Sequence, residues 1–335
     1  MVRRVVACSD KFRGTASAAE ICQAVASSAT AAGWAVDRIP MADGGEGTLD
    51  ALGGPNRTTA VSGPLGDPVE AGWRLTGRRA VIEMAAASGL DLVGGAAGND
   101  AVAASTYGTG ELIAAAIDGG ARDIIVGVGG SATTDGGLGA LRAMNLARLT
   151  GVSILVAHDV TTRFVDAARQ FAPQKGASPA EVKLLVRRLE RLAQVYLEEH
   201  GVDVRELPGS GAAGGLAGGL VTAGARLEPG FEVVGDVLGL FEAIDGADLV
   251  VTGEGFVDAG SFDGKVVGGV VEACRSAGVP VLVVAGEVFD GIDESLDVVD
   301  LSARFGRERA MSDVLGCVEA VVAERLAMHV DQPSS

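Results

Sequence analysis

VRRVVACSDKFRGTASAAEICQAVASSATAAGWAVDRIPMADGGEGT, residues 2–48, holds in order a strand, a helix, a second strand and a glycine loop. Val2 to Cys8 is a short apolar, β-branched run, which reads as a buried strand. Ser17 and Glu20 have the spacing of a capping box, in which each side chain satisfies the other's backbone N–H at a helix start. Ile21, Val25 and Ala29 then fall on one face, and Gly33 stops the helix. Ala35 to Pro40 predicts the second strand, which runs into MADGGEGT. A βαβ unit within the first 45 or so residues points to a parallel sheet.

The pattern repeats at the other end of the chain. Strands over Ala247 to Thr252 and Val279 to Ala285 flank a helix from about Lys265 to Ala277. Between these two regions, Arg57 to Glu83 breaks into short β-rich pieces at Gly63-Pro64 and Asp67-Pro68, the signature of hairpins. A helix follows over Leu112 to Ile117, then a strand over Asp123 to Val128. Ser178 to His200 is the clearest helix, with Ser178 as cap, Pro179 first and Glu181 third; it reads as a packing helix with a solvated charged back. The expectation is an α/β protein of two domains. A Rossmann-like parallel-sheet domain spans 1–56 and 240–330, and an inserted α/β domain with a mixed sheet spans 57–239. Residues 331–335 read as a polar tail.

Composition removes several function classes. The 335 residues include 50 glycines without a three-residue period, so collagen is out, and 48% hydrophobic residues suffice for a large core. A formal charge of -17 argues against nucleic acid and anionic membranes as partners, because both demand clustered Lys and Arg. Cys8, Cys22, Cys274 and Cys317 form no CxxC pair and suit free thiols. Arg3 and Arg4 precede too short an apolar run for a signal peptide, and the uncharged stretch Leu207 to Ala225 is too glycine-rich for a membrane span, so a cytoplasmic protein is expected.

Glycines sit beside acidic or hydroxyl residues in four segments, three of them with Asp or Glu: ADGGEGT (42–48), GVGGSATTDGGLG (127–139), GSGAAGGLAGG (209–219) and TGEGFVDAGSFDGK (252–265). Glycine lets backbone N–H groups approach a ligand, and strand ends of a parallel sheet line its crevice. Together the four suggest an anionic ligand with a metal ion. GSFDGK has three residues between its glycines, so it is not a Walker A loop; GxGxxA at Gly127, Gly129 and Ala132 lacks the downstream acid of a dinucleotide site. No serine lies in GxSxG, and His158, His200 and His329 lack metal-ligand spacing. Phosphoryl transfer remains, with Lys11, Arg13, Lys175 and Lys265 as cations and Asp10, Asp43, Glu46, Asp135, Asp159, Glu254 and Asp258 as carboxylates.

SDKFRGTASA (9–18), MADGGEGT, GPLGDPV (63–69), EMAAASGL (83–90), STYGTGELI (105–113), VGVGGSATTDGG (126–137), PQKGA (173–177), GSGAAGGL (209–216) and ADLVVTGEG with Asp258 run in one order from Ser9 to about Gly286. In these strings the chain resembles the bacterial glycerate kinases of the first type. The resemblance implies ATP-dependent phosphorylation of D-glycerate with Mg²⁺, commonly at the 2-hydroxyl, on a two-domain α/β fold with the active site in a cleft. The chain departs from the family pattern at Ser9, Arg13, His158, Arg163, Gly260 and Val267, and it lacks a stretch between Met144 and Val152. Another small hydroxy acid, phosphorylation at the 3-hydroxyl, a non-catalytic nucleotide binder and a nicotinamide-dependent oxidoreductase are the alternative readings.

Roles follow for individual residues. Asp43 and Glu254 are the leading carboxylates, with Asp258 next as base, and Lys11 and Arg13 would hold the substrate carboxylate or the moving phosphoryl group. Ser131, with amides at Gly129, Gly130, Gly136 and Gly137, would cradle phosphates. Asp10, Gly44, Gly45, Glu46, Lys175, Gly211, Gly214, Gly215 and Lys265 complete the ligand-binding set, and Asp43 or Asp135 would hold Mg²⁺. Each has a structural competitor: Asp43 or Asp135 as helix cap, Lys265 as a solvated helix residue. Phe256 and Phe262 read as core residues, with flanking an adenine as the alternative. ATP and a hydroxy acid are the expected small-molecule partners, for a monomer or homodimer.

Overall fold

The computed structural model describes residues 2–262, 264–289, 291–293 and 295–330; the tail 331–335 lies outside them. Its strands are β1 (Arg4–Ala7), β2 (Ala35–Arg38), β3 (Arg57–Ser62), β4 (Pro68–Thr76), β5 (Arg79–Glu83), β6 (Asp123–Gly127), β7 (Ser153–His158), β8 (Arg226–Pro229), β9 (Leu249–Val257), β10 (Val281–Val288) and β11 (Asp297–Asp300). The chain divides into one unit of residues 1–43 with 231–335 and another of 44–230.

The first unit is built on a parallel sheet in the order β11-β10-β9-β1-β2. From β1 the chain crosses to β2 through the helix Ala18–Ala31, which starts with the Ser17/Glu20 capping box. From β9 it crosses the opposite way to β10 through the helix Val266–Ala277. The sheet therefore reverses its winding between β1 and β9, the place where open α/β sheets bind ligands at their carboxyl ends. Val5, Ala7, Val251 and Val284 fill one core with the helices Ala18–Ala31 and Val314–Val330, and Val257, Val271 and Val283 fill another. All four cysteines of the chain are buried in this unit and free, and burial pushes the Cys22 thiol up to about 11 and Cys274 to about 12.

The second unit carries a mixed sheet in the order β3-β4-β5-β6-β7-β8. The predicted hairpins are the antiparallel pairs β3/β4 and β4/β5, while β5 through β8 run parallel. Trp73, Ile82, Leu112 and Ile124 form its main core. The helix Pro179–His200, capped as predicted by Ser178 and Glu181, packs Leu185, Leu189 and Tyr196 around Phe164 in a separate core.

The unit boundaries fall at 43/44 and 230/231, where 56/57 and 239/240 were expected. The reasons are local. The N–H groups of Gly47 and Leu49 both donate to Glu83 at the end of β5, at 2.9 and 2.7 Å, so the segment 44–56 goes with the second unit. Phe231 is buried, with its ring edge-on to Phe241 at 5.8 Å and tight against Gly269, so the helix Gly230–Leu238 goes with the first.

Candidate active site

In the first unit, the chain beyond β1 stays extended beside β9. Cys8 N donates to Val251 O and Asp10 N to Gly253 O, each at 2.9 Å, and the buried Ser9 hydroxyl adds a bond to Gly253 O at 2.8 Å. Met41 N donates to Ser9 O at 2.9 Å, which ties the chain after β2 to the same place. Asp10 and Asp43 thus follow the ends of β1 and β2, and Glu254 lies in the part of β9 beyond its pairing with β1, at the reversal point. Phe12, buried, closes a tight turn with Ala16 around the left-handed Gly14, leaving Lys11 half-buried and Arg13 exposed.

These carboxylates feel one another. Burial first, then the Asp43 charge, pushes Asp10 from its ordinary 3.8 up to about 7, against the Lys11 amide and ammonium, with Glu254 adding to the rise. Glu254 is likewise raised, by burial first, opposed by the Ser261 hydroxyl and Lys265 and reinforced by Asp43 and Asp258. Its Oε1 is buried without a hydrogen-bond partner among the described residues. Asp258 is exposed: its Oδ1 accepts from Ser261 N at 3.1 Å and caps the short turn Ala259–Phe262. Lys265 occupies the cap position of the helix Val266–Ala277, close enough to Glu254 to stabilise its charged form. Phe256 is not a core residue; it is 48% exposed and tilted against Phe289, centroids 6.0 Å apart, whereas Phe262 packs on the β9/β10 core.

In the second unit, GGEGT (44–48) and GVGGS (127–131) meet. Val128 N donates to Gly44 O at 2.9 Å, and a Cβ on Gly129 would lie 2.5 Å from the Gly45 Cα, so these glycines permit two loops to touch. Gly44 is small for a similar reason, facing the Ala157 backbone. Gly45, Glu46 and Gly130 form the accessible edge of the pair, with Gly130 left-handed and exposed, and Ser131 is buried next to Gly130 at 8% exposure. Beneath it Lys175 is 3% exposed and donates to Ser131 Oγ and to Thr133 O, both at 2.7 Å. Burial pushes this ammonium down to about 7, opposed by the Asp135 charge. Lys175 is therefore a support for Ser131, not a surface cation.

Two expectations need correcting here. Asp135 is not available to a metal ion: its carboxylate accepts from Thr106 N at 2.9 Å, Thr106 Oγ1 at 2.9 Å, Gly137 N at 3.0 Å and Gly139 N at 3.1 Å. It is the capping competitor that holds. Nor do Gly136, Gly137, Gly211, Gly214 and Gly215 face a ligand, since all five are buried against protein. A Cβ on Gly214 would lie 2.0 Å from Thr133 O, one on Gly215 2.8 Å from the Phe164 ring, and one on Gly211 2.5 Å from Arg163 O. Gly136 is closed by Leu192 and Phe164 at 2.5 and 2.9 Å, and Gly137 by Gly219 at 3.0 Å.

Sequence reasoning assigned no role to three residues that hold these loops: Glu83 gathers the amides after GGEG, Thr106 anchors Asp135, and Asn99 donates to Ala132 O and Lys175 O at 3.0 and 2.8 Å. Only Glu83 carried a signal, as the acid opening EMAAASGL directly after a strand. Among the described residues, no group of three or more His, Cys, Asp or Glu side chains is arranged to hold a metal ion alone. A hard cation that takes one or two carboxylates and completes its shell with phosphate and water still fits Asp43 with Glu254, whose buried, unpartnered oxygen is the hard donor such an ion takes.

The model of the glycerate kinase family matches residues 5–149 and 144–315. The chain belongs to the glycerate kinase family. Membership makes it a kinase. It is 41% identical over 294 residues to the glycerate kinase of Halalkalibacterium halodurans, covering 76% of this chain and 77% of that one. To the glycerate 2-kinase of Escherichia coli it is 38% identical over 330 residues, 86% of each chain. A crystal structure described as glycerate kinase 2 from Salmonella typhimurium LT2 superposes with a TM-score of 0.83 at 33% identity, over 98% of this chain and all of that one.

Proposed function

We propose that the chain transfers the γ-phosphoryl group of ATP to the 2-hydroxyl of D-glycerate, with Mg²⁺, in the cytoplasm. The observation that carries the chemistry is the Asp10, Asp43 and Glu254 cluster at the β1/β9 reversal, with Asp10 raised to about 7. A carboxylate with that affinity is half ionised at neutral pH and suited to take a proton from an alcohol as it attacks. In the step, the 2-hydroxyl O–H bond breaks to Asp10, the oxygen forms a bond to the γ-phosphorus, and the bridging bond to ADP breaks. Asp43 and Glu254 would hold Mg²⁺, which when bound neutralises charge on the phosphate oxygens.

Lys11, Arg13 and Lys265 supply the cations around these groups. Arg13, exposed and one of the positions at which the chain departs from the family pattern, offers a planar two-pronged donor that suits a carboxylate. In the second unit the contacts we propose for the ligand are Gly45, Glu46, the Gly130 amide and the Ser131 hydroxyl. The choice of the 2-hydroxyl rests on the name of the Escherichia coli relative.

ADP release coupled to an optical assay, run with D-glycerate, L-glycerate and other small hydroxy acids, tests the substrate. ³¹P NMR of the product tests the position. 2-Phosphoglycerate supports the reading; 3-phosphoglycerate, or turnover only with another acid, overturns it.

A further inference from the structure

The helix Pro179–His200 has more apolar surface than its core requires. One face, with Leu185, Leu189 and Tyr196, is fully buried. A second stripe, Leu184, Leu192 and Val195, stays half-buried and lines, with Leu138 and Leu189, a groove of about 460 Å³. This is the scale of a small-molecule site, roughly 300–1,000 Å³.

The rim is cationic in a strongly acidic chain. Arg187, Arg188 and Arg191 stand along the groove. Arg188 donates to Val102 O at 2.9 Å and so fixes the loop that forms one end. Arg187 and Arg191, one turn apart and exposed, have no hydrogen bond or ion pair among the described residues. The one carboxylate on the wall, Asp135, directs its oxygens to Thr106, Gly137 and Gly139. Beside it Thr134 is 2% exposed with a hydroxyl that has no partner among the described residues.

An apolar trough under two unpaired guanidinium groups suits one kind of occupant. We propose that this groove binds a free anionic amphiphile: a small molecule with an apolar body lying on Leu184, Leu192 and Val195 and a carboxylate, sulfonate or phosphate head between Arg187 and Arg191. The arginine fork pairs with such heads through two parallel hydrogen bonds.

The test uses the whole enzyme with 1-anilinonaphthalene-8-sulfonate as fluorescent probe, decanoate as competitor and decanol as its uncharged control. Saturable binding at one site is expected, with decanoate displacing the probe at concentrations at least tenfold below decanol. Arg187→Gln with Arg191→Gln should weaken both anions at least tenfold without moving the thermal unfolding midpoint, and Val195→Trp, which fills the trough without changing charge, should weaken them as much. Equal affinity in both variants, or equal displacement by decanol, overturns the proposal. So does a dimer in sedimentation that the arginine variant dissociates, because the groove would then be an interface between copies.

Discussion

The ammonium of Lys175 lies 2.7 Å from Ser131 Oγ, in the interior of the second unit, and a second bond to Thr133 O fixes its direction. A hydroxyl that accepts from a buried cation has its own proton directed away from it, toward whatever approaches Ser131. Lys175→Met should therefore lower kcat/KM for glycerate roughly tenfold or more, the worth of one charged hydrogen bond, with the loss mainly in KM. Steady-state kinetics checks it; an unchanged KM would separate Ser131 from substrate binding.

The same lysine makes stability depend on pH. Its folded value of about 7 lies below its ordinary 10.5, so the folded chain binds fewer protons than the unfolded one between these values. Stability contributed at this site is present above about 10 and is lost as pH falls toward 7. Denaturant titrations of wild type at pH 7, 8 and 9 should show a rise that Lys175→Met lacks.

Asp10 is predicted to act in the opposite sense. Its folded value of about 7 lies above 3.8, so the folded state binds more protons, and stability falls as pH rises from about 4 to 7. In EDTA at pH 8, Asp10→Asn should be more stable than wild type by an amount on the order of 2–4 kcal/mol, while turnover drops about 10²-fold or more. The acid limb of wild-type kcat/KM should fall near pH 7 and vanish in the residual activity of the variant.

Asp135→Asn distinguishes a cap from a metal ligand. An amide cannot accept from all of Thr106 N, Gly137 N and Gly139 N, and its NH₂ would face one of these donors. The expected loss is about 2–4 kcal/mol of stability, with the Mg²⁺ concentration for half-maximal rate unchanged. A Mg²⁺ requirement shifted tenfold at unaltered stability would reverse the assignment.

Gly214→Ala should be severe and Gly14→Ala mild. Both positions are left-handed, at φ +64° and +80°, which costs an L-residue about 1–2 kcal/mol. Only at Gly214 would the Cβ also meet backbone, with Thr133 O at 2.0 Å; nothing lies within 4 Å at Gly14. Soluble yield and unfolding midpoints of the two variants report the difference.

Local signals carried far in this chain. The capping boxes at Ser17 and Ser178, the opening βαβ and the hairpins of 57–83 are written in spacings of three to ten residues, and the structure has them. What spacing does not carry is the far partner. Gly214 is small because of Thr133, and Asp135 is occupied because of Thr106. Asp43 and Asp135 look alike as acids beside paired glycines; only the fold shows that one joins a carboxylate cluster and the other caps a loop. Lys175 in PQKGA reads as a loop cation, and its burial was invisible because the residues above it come from 42 and 44 positions earlier.

The four buried thiols of the first unit have a practical use. With Cys8, Cys22, Cys274 and Cys317 all sequestered and none held as thiolate at neutral pH, maleimide reagents should leave the native chain unmodified. A cysteine introduced at Ala320 or Thr58, both exposed, would be the sole reactive handle on its unit. Fluorophores placed in this way could follow the enzyme through its turnover cycle without first replacing any native residue.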